Sequence, residues 1–405
     1  MKRTKLILVA LALMLAASGC NLIQIDEARD AATVVATVNS YEITKADFNQ
    51  LYNYYKYYYN ITEEMEKSTD KEMRANIRSF KESLLDALVL DGVQIVKAQQ
   101  NGCYAFSAEE QAEIDAYVQE TLDSYRELLK SDIEAEQPGI TEDALAAEVE
   151  NRLPAFLAEY DSSEEKIREN KENSVAHQKL VDQVTADVQK PTEDEVRADY
   201  DQRTSDQQAA YADGSANYEQ LAAYGQPVYY VPEGVRMAKH ILIKLTDEQV
   251  AEIRTLRQNG DNDAAVAKRD EYLPGIEQAA QQAYERAAAG EDFDALIDEL
   301  GEDPGMETNE YYALMNPSSV YAEEFTAGLF GLAKPGDISM PTASDFGYHI
   351  ILYYGDLPSG PVDYATVSED IYEEIYTNSK DEYFNLLVQE WEKEMTIKKY
   401  PARVR

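Results

Sequence analysis

The spacing of apolar residues changes along this chain, and that change most constrains the fold. Up to about residue 190 the apolar residues recur at intervals of three and four, as in 114–129, which is the spacing of a helix with one buried face. Residues 235–243 are instead rich in β-formers and are preceded by Pro232 and Gly234, as expected of a strand. Because 405 residues exceed one ordinary domain, we predict a helical region followed by a separate α+β domain.

The same patterns give the domain boundaries. We predict a signal peptide at 1–19, a helical region at 20–203, a linker at 204–234, an α+β domain at 235–356 and a C-terminal helix within 357–405. The linker assignment rests on a mixture of Gly, Ala, Gln, Tyr and Pro without a clear period. A single helix is marginal by itself, so we expect the C-terminal helix to pack back on the N-terminal helices.

The N-terminus has the features of an export signal. Lys2, Arg3 and Lys5 precede an apolar run at 6–16 that is too short to span a bilayer. The run leads into Ala-Ser-Gly-Cys, ending at Cys20, and this junction resembles the lipobox of bacterial lipoproteins. The resemblance implies cleavage before Cys20, diacylglycerol on its sulfur, and an extracytoplasmic protein that is lipid-anchored to the cell membrane.

The charge balance narrows the range of partners. Lys and Arg number 37 against 77 Asp and Glu, which gives a formal net charge of −40. Such a surface repels phosphate backbones and anionic lipid headgroups, so we expect no nucleic-acid partner and no polybasic attachment to a membrane. An acyl chain on Cys20 would therefore have to supply the contact with the lipid bilayer. The 30 tyrosines argue against a disordered acidic chain.

Histidine is scarce, and its positions carry most of the information about chemistry. The sequence contains no nucleotide-binding loop, metalloprotease motif, paired-cysteine motif or serine-hydrolase motif. His240 and His349 lie in strand-like segments at opposite ends of the second domain, whereas His177 lies in the helical region and is expected at the surface or in helix packing. If the two strands are neighbours, their alternation lets both imidazoles face one cleft. Taken alone, each is more often a satisfied core residue.

Five segments of the second domain resemble, in order, the parvulin-type peptidyl-prolyl isomerases. They are 236–243 (RMAKHILI), 290–296 (GEDFDAL), 324–332 (EFTAGLFGL), 335–339 (PGDIS) and 346–351 (FGYHII). Residues 34–48 and the helix predicted at 84–102 are similar to the chaperone region of foldases of the PrsA and SurA type. The resemblance implies a mostly helical chaperone region, formed by the N- and C-terminal segments, and a parvulin domain with a small antiparallel four-stranded sheet flanked by helices.

The resemblance also implies roles for individual residues. His240 and His349 match the family's two histidines and Asp303 falls where the family has Asp or Cys, so these three are the expected catalytic residues. The expected substrate pocket is formed by Phe325, as the aromatic wall for the proline ring, with Tyr321, Leu329 and Ser344. No cofactor or metal is implied. Such a site acts on the rotation barrier of an X-Pro bond, ~18–20 kcal/mol, without breaking a bond.

Two functions stay open at this point. The first is a foldase that isomerises X-Pro bonds in exported client polypeptides, and the second is a client-binding chaperone whose parvulin domain has lost catalysis. Tyr321 stands where the family has methionine, and 309–312 replaces its Gly-Asp-Leu-Gly turn, which favours the second function. Six tyrosines within 52–59 either line a groove for unfolded clients or pack between helices. Whether the chain forms a homodimer is also open.

Overall fold

The computed structural model describes residues 27–160 and 162–404. These form two compact units: the N/C unit runs up to Gln189 and resumes at Asn378, and the central unit is Lys190–Thr377. The predicted signal peptide and the lipidation residue Cys20 lie outside the described residues. Within the described ranges, no helix combines the length and the apolarity needed to cross a bilayer.

The first part of the N/C unit is mostly helical. Its elements are α1 (Glu27–Ala31), β1 (Val34–Val38), β2 (Tyr41–Thr44), α2 (Lys45–Tyr58), α3 (Glu63–Glu66), α4 (Lys71–Gln100), α5 (Ala108–Glu136), α6 (Glu142–Glu159) and α7 (Glu164–Val184). Capping boxes fix the starts of two of these helices: Thr44 with Asp47 begins α2, and Ser107 with Glu110 begins α5.

The central unit alternates short strands with helices. Its elements are α8 (Glu193–Asp213), α9 (Tyr218–Ala223), β3 (Tyr230–Val231), β4 (Arg236–Lys244), α10 (Asp247–Gln258), α11 (Asn262–Tyr272), α12 (Glu277–Ala288), α13 (Phe293–Leu300), α14 (Pro304–Thr308), β5 (Tyr312–Leu314), α15 (Glu323–Phe330), β6 (Thr342–Ser344), β7 (Gly347–Asp356) and β8 (Gly360–Pro361). The long helix α16 (Tyr364–Glu394) begins in this unit and ends in the N/C unit, which β9 (Ile397–Lys399) completes.

The core of the N/C unit uses both ends of its sequence. Strand β1 pairs antiparallel with β2 and with β9, so the strand order is β2-β1-β9. Phe384 and Trp391 of α16 lie in the same apolar cluster as Leu85 and Val93 of α4. His177 is exposed and also takes part in helix packing, because its ring meets the Phe384 ring edge-on at 5.4 Å. A second cluster joins α5, α6 and α7.

The tyrosine cluster is divided between core and surface. Tyr52 is buried, and its hydroxyl donates to a carboxylate oxygen of Glu66 at 2.7 Å. Tyr57 is 91% exposed, and three further members are also exposed: Tyr54, Tyr58 and Tyr59. Part of the cluster therefore packs between helices, whereas these four tyrosines remain at the surface.

An antiparallel four-stranded sheet, in the order β5-β4-β7-β6, forms the centre of the central unit. Helices α12 and α13 cover one face, where Ile241 and Ile350 pack against Leu296. Helix α15 covers the other face, where Ile351 packs against Leu329. This is the predicted fold class, a small antiparallel sheet flanked by helices beside a mostly helical region.

The segment 204–234 is not a linker, which corrects our prediction. It contains the second half of α8, all of α9 and strand β3, and it belongs to the compact central unit. The long segment that follows β4 is likewise ordered, as the helix pair α10 and α11. The first half of α8 lies within the predicted helical region, but the helix is polar on most of its surface and buries only Val196, Tyr200 and Thr204, so its continuation past residue 203 was not recognised.

Candidate functional site

The two histidines of the central unit meet on one face of its sheet. Strands β4 and β7 are antiparallel neighbours, with Leu242 opposite His349 and Ile351 opposite His240. Residues directly opposite point to the same face, so the two imidazoles lie diagonally across the strand pair. Their ring centroids are 5.1 Å apart, and both side chains are buried. The strand alternation that predicted a shared cleft is thus present as paired strands.

A continuous chain of hydrogen bonds runs through these imidazoles. Ser344 Oγ lies 2.7 Å from His349 Nε2, the Nδ1 atoms of His349 and His240 are 3.1 Å apart, and His240 Nε2 lies 2.6 Å from Asp303 Oδ2. Two further hydrogen-bond donors contact the residues at the two ends of this chain, Ser344 and Asp303. The backbone N–H of Phe346 donates to Ser344 Oγ at 3.1 Å, and the hydroxyl of Tyr312 donates to Asp303 Oδ2 at 2.8 Å.

These hydrogen bonds are compatible with two proton arrangements of the histidine pair. With both rings neutral, Ser344 donates to His349, His349 Nδ1–H donates to His240, and His240 Nε2–H donates to Asp303. With a proton added to His240, two of these bonds reverse: His240 Nδ1–H donates to His349 Nδ1, and His349 Nε2–H donates to Ser344 Oγ. His349 carries one proton in either case, because each of its nitrogens changes role together with its neighbour.

The two ends of the chain differ in electrostatic environment. Burial, followed by the neighbouring His240 ring, lowers the pKa of His349 to about 3, against a smaller opposing effect of Asp303. Burial would raise the pKa of Asp303, but hydrogen bonds from His240, Tyr312 and the Gly305 N–H, with the charge of His240, outweigh it and hold that pKa at about 2. The site therefore presents a neutral buried imidazole at one end and a carboxylate at the other.

Asp303 is positioned by the start of helix α14. It is the N-cap residue, and its Oδ1 accepts the backbone N–H of Gly305 at 3.1 Å. A methyl group on Gly305 would overlap the Tyr312 hydroxyl, so only glycine at this position lets that hydroxyl reach Asp303. The Asp-Pro-Gly sequence is thus both the helix start and the support of the carboxylate.

Beside the imidazoles lies a cavity of about 600 Å³ with aromatic walls. The ring of Phe325 stands edge-on to His240 at 4.9 Å and to His349 at 5.2 Å. Tyr321 and Tyr312 continue the wall, with ring centroids 5.3 Å apart. An apolar recess with a few convergent polar groups is the usual form of a binding site.

Two of the predicted pocket residues do not line this cavity, which corrects their placement. Leu329 is fully buried in the cluster that includes Phe325 and Ile351, because it lies one helical turn beyond Phe325 and packs against the sheet. Ser344 is also fully buried, and its contact is with His349. Both therefore support the wall and the imidazoles from behind.

Sequence reasoning missed Tyr312 and three cavity-lining residues of α9, namely Tyr218, Ala222 and Ala223. Tyr312 lay in the segment that departs from the family pattern, and the pairing of β5 with β4, Tyr312 opposite Ala238, is what brings it to the histidine face. The α9 residues lay in the presumed linker. In the part of the chain that the structure describes, no group of three or more His, Cys, Asp or Glu side chains is arranged to hold a metal ion.

We expect Tyr312→Phe to raise the pKa of Asp303 by about one unit, because a hydrogen bond to a charged group contributes about 1.5–3 kcal/mol to its charged form. Carbon-13 NMR titration of the Asp303 carboxyl measures this shift. Gly305→Ala should raise the same pKa, since its methyl group displaces the Tyr312 hydroxyl. Tyr311→Phe is the control: its ring packs on Tyr354 at 6.0 Å, and it should leave the Asp303 titration unchanged. An unshifted Asp303 in Tyr312→Phe would contradict the assignment.

The lowered pKa of His349 predicts a pH-dependent stability. Below about pH 6.5 the unfolded chain binds a proton at this residue that the native state does not bind until about pH 3. Stability is therefore lost as the pH falls, by about 1.4 kcal/mol per unit. From about pH 6 to about pH 4.5, the wild type should lose about 2 kcal/mol more of its free energy of unfolding than His349→Gln. Urea unfolding at both values measures this difference, and equal losses would refute the prediction.

Comparison with known proteins agrees with this geometry. The family model described as Rotamase, PPIC-type PPIASE domain, matches residues 240–354. The foldase protein PrsA of Clostridium tetani is 30% identical over 134 residues, 33% of this chain and 39% of that protein. Its namesake in Clostridium kluyveri is 24% identical over 389 residues, 94% of this chain and 92% of that protein.

Among solved structures, PrsA from Bacillus subtilis aligns with 90% of this chain and 91% of its own at 16% identity, with a TM-score of 0.22. That score is too low to add to the argument, which rests on the family match and on the sequence relatives. The match with the Clostridium tetani protein spans less than half of that relative's length. Residues 240–354 are a parvulin domain of the PPIC type, carried by a chain that is similar to PrsA foldases over nearly its whole length.

Proposed function

We propose that this protein is an extracytoplasmic foldase that accelerates the cis–trans isomerisation of X-Pro bonds in exported client polypeptides. The observation that supports this most is the His240–His349–Asp303 chain at the edge of an aromatic cavity. These groups suit a reaction in which an amide twists and no bond breaks, because they offer polar contacts and an apolar recess without an activated nucleophile.

In this mechanism the cavity acts on the twisted amide. Phe325, Tyr321 and Tyr312 hold the proline ring, which is apolar and fits an aromatic wall. His240, His349 and Asp303 form a preorganised polar field beside the amide, with Tyr312 orienting the carboxylate. Because the side chains are already hydrogen-bonded to each other, they stabilise the twisted state of the amide without having to reorganise. No cofactor is needed for such a step.

We propose that the predicted leader and lipid anchor serve this function. Cleavage before Cys20 and acylation of its sulfur would tether the chain to the lipid bilayer, against the repulsion expected of a net charge of −40. The N/C unit would be the chaperone region. Its exposed tyrosines on and after α2, among them Tyr54 and Tyr57, offer flat amphipathic rings to unfolded client segments.

The alternative is a chaperone that binds clients through these tyrosines and has lost isomerase activity. Tyr321 favours it, since a rigid ring replaces the family's flexible methionine in the pocket wall. Proline-limited refolding of a model substrate separates the two functions. The proposal requires the wild-type protein to accelerate the slow refolding phase in proportion to its concentration. Suppressed aggregation of the substrate with an unchanged slow phase would leave only the chaperone.

A further inference from the structure

The cavity beside the histidines extends beyond the parvulin domain matched at 240–354. Helix α9, which precedes that domain in the sequence, contributes Tyr218, Ala222 and Ala223 to its lining. At about 600 Å³ the cavity is far larger than one proline ring requires, and such a volume accommodates a peptide segment. Tyr311 and Val320 line the same cavity.

Helix α9 is fixed to the pocket by one buried carboxylate. Glu219 is 1% exposed, and its two oxygens accept from three donors: the Met315 N–H at 3.1 Å, and the Ser318 hydroxyl and the Ser319 N–H at 2.8 Å each. Ser318 Oγ in turn accepts the backbone N–H of Tyr321 at 2.8 Å. Glu219 thus joins the helix to segment 315–319, and Ser318 connects it to Tyr321 of the aromatic wall, so α9 has a defined position relative to the proline pocket.

Apolar contacts complete the attachment of α9. Tyr218 is buried in a cluster with Val231 and Val235, and its ring meets the Tyr211 ring edge-on at 6.3 Å. Asn217 caps the helix by accepting the Gln220 N–H at 3.2 Å. Ala222 and Ala223 remain exposed toward the cavity, and their small side chains leave room beside them.

The chemistry of this wall selects the kind of residue it can accept. Among the described residues that line the cavity, Asp303 is the one carboxylate, and Lys and Arg are absent. The lining that α9 contributes is two alanines and Tyr218, which offer mainly apolar surface and no counter-charge. An acidic residue of a client placed there would lose part of its hydration without gaining a counter-charge, whereas a large apolar residue would bury apolar surface.

We propose that α9 forms a second subsite of the client-binding cavity, which receives a large apolar residue adjacent to the proline and disfavours an acidic one. The inference rests on the proposed function, because it takes an X-Pro segment as the occupant. Continuity with the proline pocket, through Glu219 and Ser318, makes the neighbouring residue of the same client the occupant of this subsite.

Charge placed on α9 tests this subsite. Ala222→Lys and Ala222→Glu are surface changes in a helix that tolerates both residues, so the fold should persist. With short proline peptides that carry Leu, Glu or Lys immediately before or after the proline, the wild type should prefer Leu over Glu. The two peptide series carry the variable residue before or after the proline. In one of them, Ala222→Lys should raise the ratio of kcat/KM for the Glu peptide to that for the Lys peptide by about threefold, and Ala222→Glu should lower this ratio by a similar factor.

Gln220→Lys and Gln220→Glu are the matched controls, since Gln220 is exposed on the same helix but does not line the cavity. They should leave the preference unchanged. Equal responses at both positions, or none at Ala222, would overturn the subsite. Fluorescence anisotropy with the same peptides gives affinities independently of turnover. If the wild type binds but does not isomerise, the proposed activity fails, and the affinity pattern alone decides on the subsite. If it neither binds nor isomerises them, both proposals are wrong.

Discussion

Phe325→Ala is expected to lower the catalysed rate of proline isomerisation by about ten- to hundredfold. The ring forms the wall of the cavity next to both imidazoles, at 4.9 Å from His240 and 5.2 Å from His349. Burying a large apolar group contributes about 1.5–3 kcal/mol, and losing that contact with the proline ring in the twisted state gives the stated factor. Proline-limited refolding, or kcat/KM with a proline peptide, measures it.

Stability has to be separated from catalysis in this variant. Phe325 is 4% exposed and packs in the cluster of Leu329 and Ile351, so its truncation should also reduce the free energy of unfolding by about 3–5 kcal/mol. Phe325→Leu retains most of the packing and should still reduce the rate. Phe330→Leu is the control, because Phe330 is in the same helix and cluster but does not line the cavity. Equal rates in the two leucine variants would contradict the role of Phe325.

The sequence was sufficient to predict the residues of the site that lie on regular strands. Alternation put His240 and His349 on defined faces, and the antiparallel pairing of β4 with β7 made those faces one. Asp303 followed from family resemblance, since Asp-Pro-Gly alone indicates a turn. Tyr312 could not be predicted, because its contact depends on the pairing of a three-residue strand and on the absence of a side chain at Gly305.

The limits on predicting the fold have a similar physical origin. The second half of helix α8 was assigned to the linker because most of its surface is polar, and because the residues that bury the helix, such as Ile371 of α16, lie far along the chain. Glu219 was unremarkable among 77 acidic residues until its three backbone and hydroxyl donors were in place. Local pattern reports which residues favour burial, whereas the partner that buries them is set by contacts between distant segments.

The same dependence on distant segments predicts a large effect on the stability of the N/C unit at Phe384. This residue of α16 is 7% exposed in the core of the N/C unit, between the rings of His177 and Trp391 at 5.4 and 5.8 Å. We expect Phe384→Ala to lower the free energy of unfolding of this unit by about 3–5 kcal/mol, because the cavity it leaves lies between segments that cannot easily close it.

Trp391 is the sole tryptophan of the chain and lies in the same cluster, so its fluorescence during urea unfolding reports on this unit. Leu386→Ala provides the comparison, since Leu386 is in the same helix but 53% exposed, and its truncation should cost under about 1 kcal/mol. A variant at Phe384 no less stable than the one at Leu386 would mean that the C-terminal helix does not complete this core. The expected difference would instead show that the segment from Asn378 onward is a structural part of the N/C unit. Its buried side chains would then contribute to the free energy of unfolding of the core that the N-terminal helices form.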